Sequence, residues 1–101
     1  MSARTVTGTF KRGLIIGEKA VKKFTLREPT AADYFAAEAE ADSSKTITYR
    51  AALAARQLVS IDDFEGPFSL AMLGKLSGGD LELLLKKRDE VEALGESEPA
   101  A

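Results

Sequence analysis

The chain has no cysteine and no histidine among its 101 residues. Without cysteine, disulfides and thiolate metal sites are excluded. Without histidine, the commonest general base and the commonest metal ligand are missing, which excludes zinc sites and catalysis by a Ser-His or Cys-His pair within the chain. An enzyme built on this sequence would have to work with Asp, Glu, Ser and Lys alone.

The chain also lacks a large excess of charge of one sign, and it lacks long apolar runs. The 14 basic and 16 acidic residues give a net charge of −2, which offers no electrostatic footprint for nucleic acid. The longest basic run, Lys86-Lys87-Arg88, is flanked by acids that largely cancel its field. No apolar run reaches the roughly 18 residues of a membrane span, and no signal peptide is visible. We therefore expect a soluble cytoplasmic protein.

Length and hydrophobic content predict one small folded domain. Hydrophobic residues make up 45% of the chain, which is too many for a disordered protein. We assign residues 1–94 to a single domain and the last seven residues, 95–101, to a disordered tail.

The N-terminal quarter has the alternation of β structure. Phe24 and Leu26 lie two residues apart, on one face of a strand. Turn candidates occur at residues 11–13 and 17–19. The pattern predicts a β-hairpin or a small antiparallel meander within residues 5–28, with one polar face.

Helix signals follow the strands. Thr30 with Asp33 three residues later forms an acidic variant of the capping box, and Ser77 with Asp80 forms a second box. Between them, apolar residues recur at spacings of four, three, four and three from Ile47 to Ile61, which is a helical stripe. The fold class is therefore α+β, with three to four short helices after the strands. The predicted helices cover residues 31–42, 46–61, 69–75 and 78–94.

Two polar segments are candidate ligand sites. Asp62, Asp63 and Glu65 could hold a hard cation, but the spacing of a calcium loop is missing, which favours a solvated turn at a helix end. Gly78-Gly79 could form a phosphate cradle at a helix start. The Walker pattern is absent, however, and Asp80 would repel an anion. Neither segment predicts a metal, cofactor or catalytic site.

A cluster of aromatic and apolar side chains follows the acidic turn. One interpretation is that these residues cap the small core beneath the helices. The other is a partner-binding patch, because aromatic residues and Met are favoured at the centres of interfaces. The sequence leaves both interpretations open. The five candidate partner-binding residues are Phe64, Pro67, Phe68, Leu70 and Met72.

Three short motifs carry a resemblance to a known family. They are Leu26-Arg27-Glu28-Pro29 at the end of the strands, residues 55–59 (ARQLV) in the middle helix, and the Leu-Ser-x-x-Asp entry to the last helix. In this order, and in a chain this short, they resemble the phage tail assembly chaperones of Mu-like and P2-like contractile-tailed phages. The resemblance covers roughly residues 14 to 94.

The resemblance implies a non-enzymatic function. Such a chaperone binds the tape-measure protein, keeps it soluble in the host cytoplasm and promotes tail-tube assembly, and it is absent from the mature virion. The tail-tube protein and a longer, frameshifted form of the chain are further implied partners. No cofactor and no catalytic residue is implied. In this interpretation the segment from Phe64 to Met72 forms the lip of a groove for the partner.

Other functions are weighed against this one. The main alternative is a small structural or adaptor protein that is retained in the phage particle. An enzyme without histidine and a DNA-binding regulator are both disfavoured by the composition. The oligomeric state is open, and a homo-oligomer is among the alternatives.

Overall fold

A computed structural model describes residues 4–42, 44 and 46–96. It confirms the predicted α+β class, with an N-terminal antiparallel hairpin, a third strand and four helices among these residues. The third strand lies between the second and third helices in the chain. In order, the elements are β1 (Thr5–Ile16), β2 (Lys19–Arg27), α1 (Ala31–Glu40), α2 (Thr46–Gln57), β3 (Leu58–Ile61), α3 (Leu70–Leu73) and α4 (Gly78–Glu96).

The first two strands form one hairpin, which turns at Gly17. The glycine adopts a φ of 64°, a conformation that favours residues without a Cβ. The other predicted turn, at residues 11–13, is wrong, because β1 runs straight through it. The strand is irregular there instead, with a shift in pairing register between Thr9 and Leu14.

The irregularity in β1 is held by a carboxylate from the far end of the chain. Asp80 accepts hydrogen bonds from the backbone N–H groups of Lys11 at 2.8 Å, Arg12 at 3.0 Å and Gly13 at 3.0 Å. Gly13 has a φ of 89°, and a Cβ there would lie 2.7 Å from the Val21 carbonyl oxygen. The N–H groups that a bulge removes from the strand ladder thus find a partner in α4.

The end of the predicted helix 46–61 is a correction, because α2 stops at Gln57 and the chain continues as β3. This strand pairs antiparallel with β2, with Phe24 opposite Ile61 and Leu26 opposite Leu58. Residues three apart normally lie on opposite faces of a strand. A register shift at Val59 restores both Leu58 and Ile61 to the buried face. The bulged strand therefore mimics the helical spacing in the sequence.

The main core lies between the sheet and helices α2 and α4. Phe10 and Phe24 are its largest side chains, with ring centroids 4.6 Å apart. A second, smaller cluster joins α1 to α2 and consists mostly of alanines around Leu53. Because those alanines bury little area, α1 packs on the rest of the protein more weakly than the other long helices do. The large side chain of Phe35 adds little to this packing, since it is 70% exposed.

The capping box predicted at Thr30 is present. The Thr30 hydroxyl accepts from the Asp33 N–H, and the Asp33 carboxylate accepts from the Thr30 N–H at 2.7 Å. Arg27 also binds this carboxylate, at 2.7 and 3.0 Å. Burial acts to raise the pKa of Asp33, but these hydrogen bonds outweigh it and hold the pKa below its usual range. One side chain thus ties the start of α1 to the end of β2.

Helix α4 differs from its prediction at both of its ends. Ser77 accepts from the Asp80 N–H at 3.2 Å, as in a capping box, but the Asp80 carboxylate accepts from backbone N–H groups of β1 and not from the Ser77 N–H. The predicted end of this helix at residue 94 is too early, since α4 continues to Glu96. The predicted tail, residues 95–101, otherwise lies outside the described residues.

Replacing Gly8 with alanine should weaken the hairpin. A Cβ at Gly8 would lie 2.5 Å from Cζ of Phe24, whose ring is fully buried and has no room to move. We expect Gly8→Ala to lower the free energy of unfolding by about 1–3 kcal/mol in urea denaturation. Gly79→Ala is the matched control, because its Cβ meets nothing within 4 Å in the first turn of α4. Equal stabilities for the two variants would contradict this packing.

Removing the charge of Asp80 should detach β1 from α4. Burial acts to raise the pKa of Asp80, but three backbone N–H groups and the Ser77 hydroxyl outweigh it and lower that pKa. We expect Asp80→Asn to lower the free energy of unfolding at neutral pH by about 2–3 kcal/mol.

The stability that Asp80→Asn loses should depend on pH, and the lowered pKa of Asp80 gives the direction of that dependence. Because the folded pKa of Asp80 is lowered, its contribution is complete above the unfolded pKa, near 3.9. It is lost as the pH falls through the folded value. The difference in stability between the wild type and Asp80→Asn should therefore be constant from neutral pH to about pH 5 and shrink below about pH 4. A difference that grows on acidification would contradict the assignment.

Candidate partner-binding surface

The loop between β3 and α3 is tightly folded. Asp62 begins it with a φ of 53°, and Gly66 follows with a φ of 101° before a cis bond to Pro67. Phe64 returns to the sheet by a bridge to Ile61. Its ring also meets the ring of Phe68 edge-on, with centroids 5.3 Å apart. The loop thus presents its aromatic side chains from a defined backbone.

The acidic cluster in this loop is used for structure. The Asp62 carboxylate accepts from the backbone N–H groups of Lys22 at 2.9 Å and Lys23 at 3.2 Å, and these bonds hold its pKa below the usual range. Asp63 reaches Lys19 only at 3.8 Å, on a fully solvated surface. Across residues 4–42, 44 and 46–96, no group of three acidic side chains is placed to hold a metal ion.

The structure divides the five predicted binding residues between core and surface. Phe68, Leu70 and Met72 are half-buried and pack against the main core. Phe64 is half-buried against Phe68, and Pro67 is exposed. Ser69 caps α3, and its hydroxyl accepts from the Met72 N–H at 3.2 Å. Four of the five residues are therefore half-buried and one is exposed, and a role in binding stays a prediction.

One of the five, Leu70, also lines an apolar groove. This α2–α3 groove has a volume of about 220 Å³ and is open to solvent between α2, α3 and the first turn of α4. Its walls are almost entirely aliphatic, with one hydroxyl from Thr48. Such a shape accepts the apolar side chains of a partner helix. The lining residues are Ile47, Thr48, Ala51, Leu70, Leu73, Gly74 and Leu81.

Ile47 is the residue that sequence reasoning placed wrongly. The stripe from Ile47 to Ile61 predicts it as buried, yet it is 62% exposed at the rim of the groove. The first turn of α2 extends past the core, so the apolar stripe continues onto the surface. In the sequence, the signal for this exposed position is that the apolar stripe already begins in the first turn of the helix, before the residues that reach the core.

A larger cleft lies at the start of α4. It has a volume of about 640 Å³ and is lined by Lys11, Arg12, residues 77–80 and Lys86, among others. The Asp80 carboxylate in its wall is already engaged by backbone N–H groups, and the Gly78-Gly79 pair leads into the helix as an ordinary first turn. Because the cleft has a carboxylate in its wall and the smaller groove is aliphatic, we place the candidate partner-binding surface at the α2–α3 groove.

A polar network fixes α2 relative to α4, and hence two walls of the groove. Arg88 is 4% exposed and bonds Glu92 at 3.1 Å, Asp89 at 3.0 Å and the Gln57 side chain at 3.3 Å. Arg50 of α2 reaches the same Asp89 at 2.6 Å. Buried charges of this kind are held only when their partners are well placed, so the network specifies one relative position of the two helices.

Tyr34 connects α1 to this network. Its hydroxyl donates to the Glu92 carboxylate. Burial, followed by the hydrogen bond and charge of Glu92, raises the pKa of Tyr34 to about 12. We expect the phenolate absorbance of a Tyr49→Phe variant, in which Tyr34 is the remaining tyrosine, to titrate near that value.

The network can be tested by removing its carboxylate. In Glu92→Gln the pKa of Tyr34 should fall towards the ordinary value near 10. Because the folded pKa is raised, the stabilisation is present below pH 10 and is lost as the pH rises through about 12. A Tyr34 that titrates near 10 in the parent protein would show that this contact does not form.

No helix in the described part of the chain is both long and apolar enough to cross a membrane. Residues 10–100 match the family described as tail assembly protein gp41, of phage Mu. No curated protein and no solved structure matches the chain significantly. The matched range includes every residue of the α2–α3 groove, and the chain therefore belongs to the Mu tail assembly protein gp41 family.

Proposed function

We propose that this tail assembly protein is a non-enzymatic chaperone of the tape-measure protein. It binds that protein in the host cytoplasm, keeps it soluble and promotes assembly of the tail tube around it. The tail-tube protein and a longer, frameshifted form of the chain are further proposed partners. The observation that carries the proposal is an open aliphatic groove on a chain whose family acts in tail assembly.

The groove supports this function by its shape and chemistry. A long helical partner exposes apolar side chains at helical spacing, and each would otherwise meet water. A shallow groove lined by Ile47, Leu70 and Leu81 removes such side chains from water without needing a deep pocket. Many copies could therefore bind along one rod, each covering a short stretch.

The Phe64–Met72 segment supplies one lip of this groove in our proposal. Leu70 belongs to both, and the half-buried ring of Phe68 packs on the core beside it. Because Phe68 contributes to the core, a substitution there would change folding and binding together. Ile47 is the better probe, since it is exposed and lies on the groove.

The test compares two exposed isoleucines. Ile47 on the groove and Ile15 on the hairpin are 62% and 57% exposed. After co-expression with the tape-measure protein of the same phage, we expect the wild type and Ile15→Ser to keep it soluble and to co-purify with it. Ile47→Ser should retain at least about tenfold less, because it places a hydroxyl where the partner's apolar side chain binds. Unchanged circular dichroism spectra would show that both variants are folded.

Two outcomes would contradict the proposal. The first is a tape-measure protein that stays insoluble when it is co-expressed with the wild-type chain, whether or not the longer, frameshifted form of the chain is also present. The second is equal retention by Ile15→Ser and Ile47→Ser, which would exclude the groove. Mass spectrometry of purified particles separates the main alternative, because a structural or adaptor protein would be present in the particle and a chaperone would not.

A further inference from the structure

The sheet has one edge that is only half covered. Its strand order is β1-β2-β3, so β1 is an outer strand. In the second half of β1, the N–H groups of residues 11–13 bind Asp80. In the first half, no hydrogen bond from the described residues reaches the backbone groups that face away from β2. We call Thr5–Thr9 the open edge.

The backbone groups on the open edge can be assigned from the pairing. The Glu28 N–H donates to the Arg4 carbonyl at 3.1 Å, so Arg4 faces β2. Hydrogen-bonding direction alternates along an antiparallel strand. Val6 and Gly8 therefore bond β2 as well, whereas Thr5, Thr7 and Thr9 direct their N–H and C=O groups outwards.

The open edge lacks the devices that normally prevent strand addition. Proteins protect such edges with charged residues, proline, bulges or short strands. Thr5–Thr9 contains no charge and no proline, and its pairing with β2 is regular. The strand to which it belongs is 12 residues long, about twice the usual length. The bulge and its Asp80 cap protect the other half of the same strand.

The open edge is self-complementary. Thr5-Val6-Thr7-Gly8-Thr9 reads almost the same in both directions about Thr7. In an antiparallel pair centred on Thr7, Thr5 faces Thr9 of a second copy and Val6 faces Gly8. Threonine pairs across strands are favourable, because their hydroxyls and methyl groups meet on one face.

The hydroxyl side chains of the open edge continue across the same face of the sheet. Thr7 lies opposite Thr25 of β2, and Thr25 lies opposite Ser60 of β3. A second copy paired at Thr7 would extend this row of hydroxyl side chains across both molecules. An unrelated strand would have to supply that pattern by chance, whereas a second copy supplies it by symmetry.

We propose that two copies of the chain pair antiparallel through their open edges, with the two-fold axis at Thr7, and join their three-stranded sheets into one. The inference goes beyond chaperone function and does not depend on it. Each dimer would carry two α2–α3 grooves. If the grooves bind the tape-measure protein, the second groove binds at a high effective concentration once the first is occupied.

The chain has no cysteine, so introduced thiols report the pairing directly. Directly opposed, hydrogen-bonded residues in an antiparallel pair have Cα atoms about 5.5 Å apart, within the range of a disulfide. We expect Thr7→Cys to form a covalent dimer under mild oxidation. A mixture of Thr5→Cys and Thr9→Cys should give the mixed dimer in preference to either homodimer. Thr25→Cys, on the central strand, is the control and should stay monomeric.

Sedimentation equilibrium of the full chain tests the same contact without thiols. We expect a concentration-dependent monomer–dimer equilibrium that Thr7→Pro weakens at least about tenfold, because proline removes an outward N–H and no bond to β2. Thr7→Lys places a charge on the edge and should act alike. Thr25→Lys is the matched control and should dimerise as the wild type does. Cooperative urea unfolding would show that each variant is folded.

Several results would overturn the proposal. The wild type could stay monomeric up to about millimolar concentration, where even weak pairs form. The Thr5→Cys and Thr9→Cys chains could cross-link without preferring each other. Thr7→Pro could leave the oligomeric state unchanged and abolish co-purification of the tape-measure protein, in which case the edge binds that protein. The Ile47→Ser test of the groove is unaffected by each of these results, so the two proposals fail separately.

Discussion

The contact between Asp80 and the bulge of β1 holds the two ends of the fold together. One carboxylate binds three consecutive N–H groups that lie 67 to 69 residues earlier in the chain. This contact fixes the start of α4 against the hairpin, and α4 then covers the core face of the sheet. It also covers the second half of the edge of β1, while leaving Thr5–Thr9 open. The packing of the core and the shape of the edge thus depend on the same interaction.

Most of the carboxylates that stand out in the sequence have structural partners. Asp33 binds Arg27 and the start of α1, Asp62 binds two N–H groups of β2, and Glu92 binds Arg88 and Tyr34. Burial opposes the charges of Asp33 and Glu92, whereas Asp62 is exposed, and hydrogen bonds from backbone N–H, guanidinium or tyrosine hydroxyl groups stabilise the charge in each case. These side chains therefore position the helices, and the surfaces left for recognition are aliphatic or backbone in character.

The two surfaces use different physics. The α2–α3 groove offers aliphatic area, which binds apolar side chains without strong directional demands. The open edge offers backbone donors and acceptors in a fixed spacing, which selects a strand of matching length and direction. A small tail assembly protein that combines them could cover a long helical partner and contact a neighbouring copy with separate faces. Neither surface needs a catalytic side chain.

Features that depend on near neighbours could be predicted from the amino-acid sequence alone. It predicted the cap at Thr30, the turn at Gly17 and the class of the fold, and the short motifs around Pro29 and Asp80 indicated the family. The remaining features depend on contacts between residues that are distant in the chain. A bulged strand buries residues three apart just as a helix does, so Leu58 and Ile61 could not reveal β3. The bulge at residues 11–13 needs a carboxylate distant in sequence, and no local pattern shows which one arrives. The exposure of Ile47 depends on where neighbouring helices end, which only the packed chain decides.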